Sequence, residues 1–253
     1  MTVGLVGAGN MARALARGWA QPVLCTDGGS GRAARLAAEV GGEALGSNAE
    51  LARRAEVIVL AHKPAQLDRV AAEAAPEAAG KLVVSLLARV ERAALQAAYP
   101  GAAVLRVQPN LGVERRCGVS ALGSPEGGEE AASVQQAREL FEPLGTVVVV
   151  PDKLIDVASA CSGVGPAYWA LAMEAQVDAA IRAGLTPAQA SLLVGETMIG
   201  TGEILRERDW DTLGLRRAVA SPGGVTARGL AALERGGVRA AFSEAMDATV
   251  ESR

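Results

Sequence analysis

The sequence predicts an α/β protein in two parts: a doubly wound, mostly parallel sheet over residues 1–151, then an all-helical domain over 152–253. Three observations carry that expectation. Short apolar runs alternate with amphipathic stretches from residue 2 to residue 150, the pattern of strands joined by crossover helices. After Pro151 no strand-like run recurs and helical periodicity takes over. Half of the 253 residues are apolar, mostly Ala, Val and Leu, and only 3% are aromatic. That composition suits helices on a compact α/β core, not a sandwich or an aromatic-lined nucleic-acid surface.

Residues 2–6 read as a buried strand, followed at once by Gly7-Ala8-Gly9-Asn10-Met11-Ala12 and a helix over 11–19. This is a G-x-G-x-x-A fingerprint in strand–turn–helix context, which makes the first part a Rossmann-type dinucleotide-binding domain. Gly7 permits the tight turn and Gly9 lets the backbone approach a pyrophosphate. Ala12 keeps helix and sheet close, and Asn10 and Met11 open the helix. Further strands are expected at 23–26, 55–61, 81–85, 103–107 and 146–150. Helices are expected at 32–40, 51–54, 67–75, 93–99 and 134–141.

Sites in such sheets lie beyond the carboxyl ends of the strands. Asp27, the run Ala61-His62-Lys63-Pro64 and Gln108-Pro109-Asn110 all fall there. Asp27 lies 18 positions after Gly9, where a carboxylate accepts hydrogen bonds from the ribose hydroxyls of NADH. Its second reading, behind that one, is a turn aspartate before Gly28-Gly29. Ser30 and Arg32 follow in the same loop and suit the 2′-phosphate of NADPH. The repulsion and the attraction are of similar size in a solvated rim, so use of both NADH and NADPH is expected. His62 caps a strand end or lines the cofactor more readily than it serves as an acid.

In the second part, 152–183 is helical with a break at Ser162-Gly-Val-Gly-Pro166, where Pro166 can start a new helix. Thr186-Pro-Ala-Gln189 is a capping box opening a helix to about 206, and helices follow at 210–219, 227–234 and 238–250. Several of these helices carry small apolar residues almost all round, which calls for burial against another copy of the chain. A homodimer or higher homo-oligomer is therefore expected. Between two helices lies Ser221-Pro222-Gly223-Gly224-Val225-Thr226. Here Thr226 reads as an N-cap, and backbone N–H groups converge beside its hydroxyl. Two readings stand side by side. One is a pocket for a small molecule with a carboxylate next to a reactive nitrogen, and the other is a turn and cap without a ligand.

The net charge of −3 comes with no basic cluster, so neither nucleic acid nor an anionic membrane is an expected partner. Cys25, Cys117 and Cys161 are widely spaced, and His62 is the single histidine, which argues against a metal site and for a reduced, cytoplasmic protein. A strand pattern from residue 2 leaves no room for a signal peptide, and no apolar run reaches membrane-spanning length.

With both parts in view, the chain resembles the pyrroline-5-carboxylate reductase family along essentially its whole length. The resemblance rests on Gly7-Ala-Gly-Asn-Met11, Ala61-His-Lys-Pro64, Arg106-Val-Gln-Pro-Asn110, Ser162-Gly-Val-Gly-Pro-Ala-Tyr168, Asp178 to Leu185 and the block from Val219 to Glu234. It implies reduction of L-1-pyrroline-5-carboxylate to L-proline with NADH or NADPH, the last step of proline biosynthesis. It implies that Gly223, Gly224, Val225 and Thr226 hold the substrate, with backbone amides on the carboxylate and the Thr226 hydroxyl at the ring nitrogen. It also implies a cofactor contact at Asn48 and an active site beside a dimer interface. The chain departs from the family pattern at His62, usually Val, and at Arg89, usually Gly. It departs again at Gln108, usually Met, and at Leu111-Gly112, usually Thr-Pro. Related alternatives are an NAD(P)H-dependent imine or β-hydroxyacid oxidoreductase and a non-catalytic dinucleotide sensor. The β-hydroxyacid family needs a lysine on the first helix after the nucleotide domain, and no lysine follows Lys153.

Overall fold

The computed structural model describes residues 1–125 and 131–251; residues 126–130 and the last two of the expected helical domain, Ser252 and Arg253, lie outside the described residues. The strands are β1 (Val3–Val6), β2 (Leu24–Thr26), β3 (Glu43–Ala44), β4 (Val57–Leu60), β5 (Leu82–Ser85), β6 (Ala103–Pro109), β7 (Gly118–Ser124) and β8 (Gly145–Pro151). They form one sheet in the order β3-β2-β1-β4-β5-β6-β7-β8. Every neighbouring pair is parallel except β6 and β7. The chain starts at β1, steps outward to β3, then returns past β1 to β4 and continues the other way. The reversal between β1 and β4 is the switch point at which doubly wound sheets bind ligands.

Helices α1 (Asn10–Trp19), α2 (Arg32–Val40), α3 (Asn48–Arg54), α4 (Leu67–Ala74), α5 (Arg92–Ala98) and α6 (Ala131–Phe141) cover the sheet. Alternate strand residues divide between two cores. Val3, Leu5, Val57, Val59 and Val84 pack with Leu15 of α1, Leu36 of α2 and Phe141 of α6. Val6, Ile58, Leu60 and Val83 pack with Leu51 of α3, Val70 of α4 and Leu95 of α5. Burial on both faces is why the central strands read as unbroken apolar runs.

Two strands differ from the sequence expectation. β3 is two exposed residues paired to β2, too short to leave a pattern. β7 is Gly-Val-Ser-Ala-Leu-Gly-Ser, with one β-branched residue and loop-like ends. It is a strand because β6 reverses through the 3-10 turn Leu111–Arg115 and β7 fills the space between β6 and β8. Its propensity is overridden by ladder bonds on both edges.

Strands end at residue 151, but compact packing divides later, into Met1–Pro166 and Ala167–Arg253. The reason is α7 (Ile155–Ser162), which lies on β6 and β7. Arg106 of β6, 4% exposed, pins that helix through Asp156 at 2.8 and 2.9 Å and reaches Asp152 at 3.3 Å. The later helices are α8 (Gly165–Arg182), α9 (Pro187–Glu207), α10 (Thr212–Val219), α11 (Val225–Arg235) and α12 (Val238–Glu251). The expected capping box opens α9: the Gln189 amide donates to the Thr186 hydroxyl at 3.3 Å and the Thr186 amide to Gln189 Oε1 at 3.1 Å. Within the second unit Tyr168 of α8 bonds Thr249 of α12 at 2.7 Å. Trp169, Leu171, Leu192, Leu193 and Ile199 of α8 and α9 remain exposed. Among the described residues no helix is long and apolar enough to cross a membrane.

Candidate active site

The turn from β1 into α1 is fixed by backbone geometry. Gly7 has φ +107°, and a Cβ there would stand 2.7 Å from the Ala61 carbonyl oxygen, so only glycine fits. The Gly7 amide donates to the Thr26 carbonyl at 3.1 Å, tying the turn to the end of β2. Helix α1 opens after an extended Gly9, with no capping side chain and no acidic residue in its first turn. Its first amides therefore have no intrahelical acceptor, and the helix dipole adds positive character. Nothing lies within 4 Å of where a Gly9 side chain would begin. Such a bare, open helix N-terminus suits a pyrophosphate.

Around it lies a cleft of about 640 Å³ at the carboxyl ends of β1, β2 and β4. Of the cofactor residues expected from sequence, Gly7, Gly9, Asp27, Ser30, Arg32, Asn48, Ala61, His62 and Lys63 line it. Asn10, Met11, Ala12 and Pro64 do not. Ala12 is buried and Met11 packs against the same core, so these two shape the turn from behind. Asn10 is the exposed first residue of α1, and Pro64 starts an exposed 3-10 turn. The sequence reading missed Thr26, Gln66, Arg69 and Glu73, which also line the cleft. Arg69 and Glu73, with Val70, recur at helical spacing on α4, and Gln66 directly precedes its first residue, a signal that would have put them on one face. The Thr26 hydroxyl donates to Asn48 Oδ1 at 2.7 Å and Asn48 Nδ2 donates to Glu73 at 2.8 Å.

Asp27 is placed where expected, but its carboxylate faces its own loop. Oδ1 accepts from the amides of Gly29 at 2.7 Å and Ser30 at 3.2 Å. Oδ2 accepts from the Ser30 hydroxyl at 3.0 Å and the Ala33 amide at 2.9 Å. These donors, the Ala33 amide foremost, hold its pKa below the usual carboxylate range. In this structure the carboxylate follows the turn-aspartate reading: Asp27 shapes the loop and accepts from the Ala33 amide in the first turn of α2, whose cap is Gly31. His62 Nδ1 lies 2.9 Å from the Lys63 carbonyl, which puts the ring proton on Nδ1. Burial depresses its pKa, and Nε2 has no partner among the described residues.

Arg89 has φ +59°, the left-handed conformation that glycine adopts freely. Asn110 accepts from the amides of Gly112 and Val119, each at 3.1 Å, and donates to the Ser162 carbonyl at 3.2 Å, joining β6, β7 and α7. Gln108 is buried in β6.

In the second unit Ser221 to Gly224 form a tight turn closed by the Gly224 amide on the Ser221 carbonyl at 3.0 Å, with Gly223 at φ +68°. Proline second and a left-handed glycine third make this a type II turn. The cap of α11 is Gly224, not Thr226 as the sequence suggested. Gly224 takes the extended cap conformation itself and its carbonyl accepts from the Arg228 amide at 3.2 Å, so the helix starts one residue before Thr226. No side chain caps this end and no acidic residue lies in its first turn. The amides of Val225, Thr226 and Ala227 are left without intrahelical acceptors beside a half-buried threonine.

Residues 152–253 match the family model described as pyrroline-5-carboxylate reductase dimerisation, and residues 2–89 match one described as NADP oxidoreductase, coenzyme F420-dependent. The pyrroline-5-carboxylate reductase of Synechocystis is 39% identical over 201 residues, 79% of this chain and 75% of that protein. A solved structure of a pyrroline-5-carboxylate reductase from Coxiella burnetii superposes with a TM-score of 0.88 at 30% identity, covering 99% of this chain and 96% of that one. The Plasmodium falciparum pyrroline carboxylate reductase, solved with NADP bound, gives 0.86 at 26% identity, with 99% and 96% covered. An open helix N-terminus at the sheet's switch point and a bare glycine–glycine–threonine helix start thus accompany similarity over nearly the full length, and the chain belongs to the pyrroline-5-carboxylate reductase family.

Proposed function

We propose that this chain reduces L-1-pyrroline-5-carboxylate to L-proline, with residues 1–151 holding NADH or NADPH and residues 152–253 supplying the substrate pocket and the homodimer contact. The observation that carries the site assignment is the bare N-terminus of α11. Free amides, a helix dipole and no competing acid make a receptor for a carboxylate. Thr226, at its second position, adds a hydroxyl one residue from those amides. A bound reduced nicotinamide would supply the hydride to the C=N carbon, and the ring nitrogen, gaining an electron pair, would take its proton from solvent. In the proposed site the amides of Val225 and Thr226 hold the carboxylate, and Gly223 and Gly224 keep side chains out of the way. The Thr226 hydroxyl donates to the nitrogen as its electron density rises, an interaction stronger in the transition state than in the ground state. On the cofactor side the start of α1 behind Gly9 would carry the pyrophosphate. Asn48, Ala61, His62 and Lys63 line the same cleft. The protein's part is mostly orientation and charge stabilisation.

The exposed apolar side chains of α8 and α9, together with the dimerisation match, support assembly as a homodimer. Initial rates with pyrroline-5-carboxylate and each nicotinamide, run beside 3-hydroxyisobutyrate, test the activity. Steady oxidation of the cofactor with the imine alone is expected, and binding without turnover would favour a sensor. A hydrogen bond to a group gaining charge contributes about 1.5–3 kcal/mol. Thr226→Ala should therefore lower kcat/KM about ten- to a hundredfold with cofactor affinity unchanged, and Thr226→Ser should keep most activity. Wild-type kinetics in the alanine variant would remove Thr226 from the mechanism.

A further inference from the structure

We propose that Arg228 is a further specificity-determining residue of the α11 site. Its guanidinium, turned back over the helix start, selects a ring that carries an ionised carboxylate over the same ring carrying a neutral group. The proposal rests on the reading of that site as the substrate pocket and deepens it by naming a side chain that reads the charge of the substrate.

The first ground is the direction of the Arg228 side chain. Arg228 lies in the first turn of α11, and its Nη1 donates to the Gly223 carbonyl at 3.2 Å, five residues back. The guanidinium is thus held at the mouth of the turn and not along the helix. A cation in the first turn opposes the helix dipole; the last turn, where Arg235 stands, is the place that stabilises one. No acid of the chain offsets this. The first turn of α11 has none, and Glu234 at the far end of the helix pairs with Arg216 and Arg239. Among the described residues Arg228 forms no ion pair. Positive charge is gathered at this helix start and left unanswered by the protein's own residues.

The second ground is the state of the backbone acceptors, since an open carbonyl oxygen repels a carboxylate. The Ser221 carbonyl accepts from the Gly224 amide at 3.0 Å and the Gly224 carbonyl from the Arg228 amide at 3.2 Å. The Gly223 carbonyl, between them, is taken up by the Arg228 side chain. Three acceptors of the turn are thereby occupied, while the amides of Val225, Thr226 and Ala227 have no intrahelical acceptor. One contact does two things: it removes the Gly223 oxygen from competition and anchors the guanidinium beside those amides. A guanidinium carries five N–H groups in a planar fork, and the bond to Gly223 uses one. The rest suit a carboxylate. Arg228 is exposed, so the attraction is modest and sensitive to salt.

The test is equilibrium binding of L-proline and of L-prolinamide to the full chain, followed by ligand-detected NMR. The two share the ring and its nitrogen and differ in the charge of the carboxyl group. Since turnover is not read, failure here leaves the reductase assay untouched, and failure of that assay leaves the role of Arg228 untouched. The wild type is expected to bind L-proline about tenfold more tightly than L-prolinamide, as free amides and a guanidinium together warrant. Arg228→Met should reduce that preference about three- to tenfold, the lower end reflecting exposure. L-prolinamide should bind the variant at least as well as the wild type, which verifies an intact site. Raising the salt concentration from about 0.01 to 1 M shortens the screening length from about 30 to 3 Å. The wild-type preference should then fall toward that of the variant, a change that a purely structural role of Arg228 would not produce. No preference in the wild type, a preference that Arg228→Met leaves in place, or one that salt does not move overturns the assignment.

Discussion

Asp27→Ala separates a loop-building aspartate from a ribose-binding one, because the two roles predict opposite patterns. Losing the side-chain acceptor of the first-turn Ala33 amide costs about 1 kcal/mol, and a carboxylate at a helix N-terminus contributes about 0.3–1 kcal/mol more. Here Oδ1 also orders the Gly29 and Ser30 amides at 2.7 and 3.2 Å, so the loss should total about 2 kcal/mol. In a chain of this size that lowers Tm by about 4–8 °C. The assay is urea denaturation of wild type and variant across pH, with hydrogen exchange at the Ala33 amide. Because the folded pKa of Asp27 lies below its ordinary value, the stabilisation is fully present above the unfolded pKa. It fades as pH falls through the folded pKa, so the two proteins should converge in acid. Binding of NADH and NADPH should weaken together as the loop loosens. A variant as stable as wild type that loses NADH affinity and gains NADPH affinity would refute this reasoning.

The remaining predictions are simpler. Light scattering at sub-micromolar concentration should find at least a dimer, because Leu171, Leu192 and Ile199 stand exposed in the second unit; an active monomer would exclude it. His62, the single histidine, should titrate by NMR below its ordinary value of 6.5, since burial disfavours its charged form. Its contribution to stability is then complete above that pH and lost as pH falls below it, and a midpoint at or above 6.5 would contradict the buried placement. Arg106→Met leaves Asp152 and the half-exposed Asp156 without their partner. Discounted for that exposure, the cost should be about 2–3 kcal/mol in urea denaturation, and a change under about 0.5 kcal/mol would show that Arg106 does not hold α7.

What could be read from the sequence follows from where each signal is written. Val57 to Leu60 announce a strand because both faces of β4 are covered, and the fingerprint at Gly7 is visible because backbone constraints select residue types. β7 is hidden because its burial comes from β6 and β8, neither of which leaves a mark on its own residues. Thr226 was expected to cap α11 by the usual preference for a hydroxyl there, whereas Gly224 takes the cap conformation without a side-chain bond. Asp27 reads from sequence both as a ribose acceptor and as a turn aspartate, and its residue type does not separate the two, since its partners are the Ser30 hydroxyl and backbone amides, which every residue carries. Arg69 and Glu73 leave a signal not at a strand end but in their helical spacing on α4, which sets both on the cleft.

The relay from Thr26 through Asn48 to Glu73 spans three separate elements, β2, α3 and α4. Each amide and hydroxyl in it is committed by its neighbours, so that wall of the cleft is ordered before any ligand arrives. Ordering a flexible polar side chain on association costs about 0.5–1.5 kcal/mol; along this wall that loss is taken during folding. Affinity for the dinucleotide is therefore coupled to the packing of α3 and α4 against the sheet. Substitutions well behind the cleft, at Leu51 or Val70, should be felt first as weaker cofactor retention and only later as unfolding.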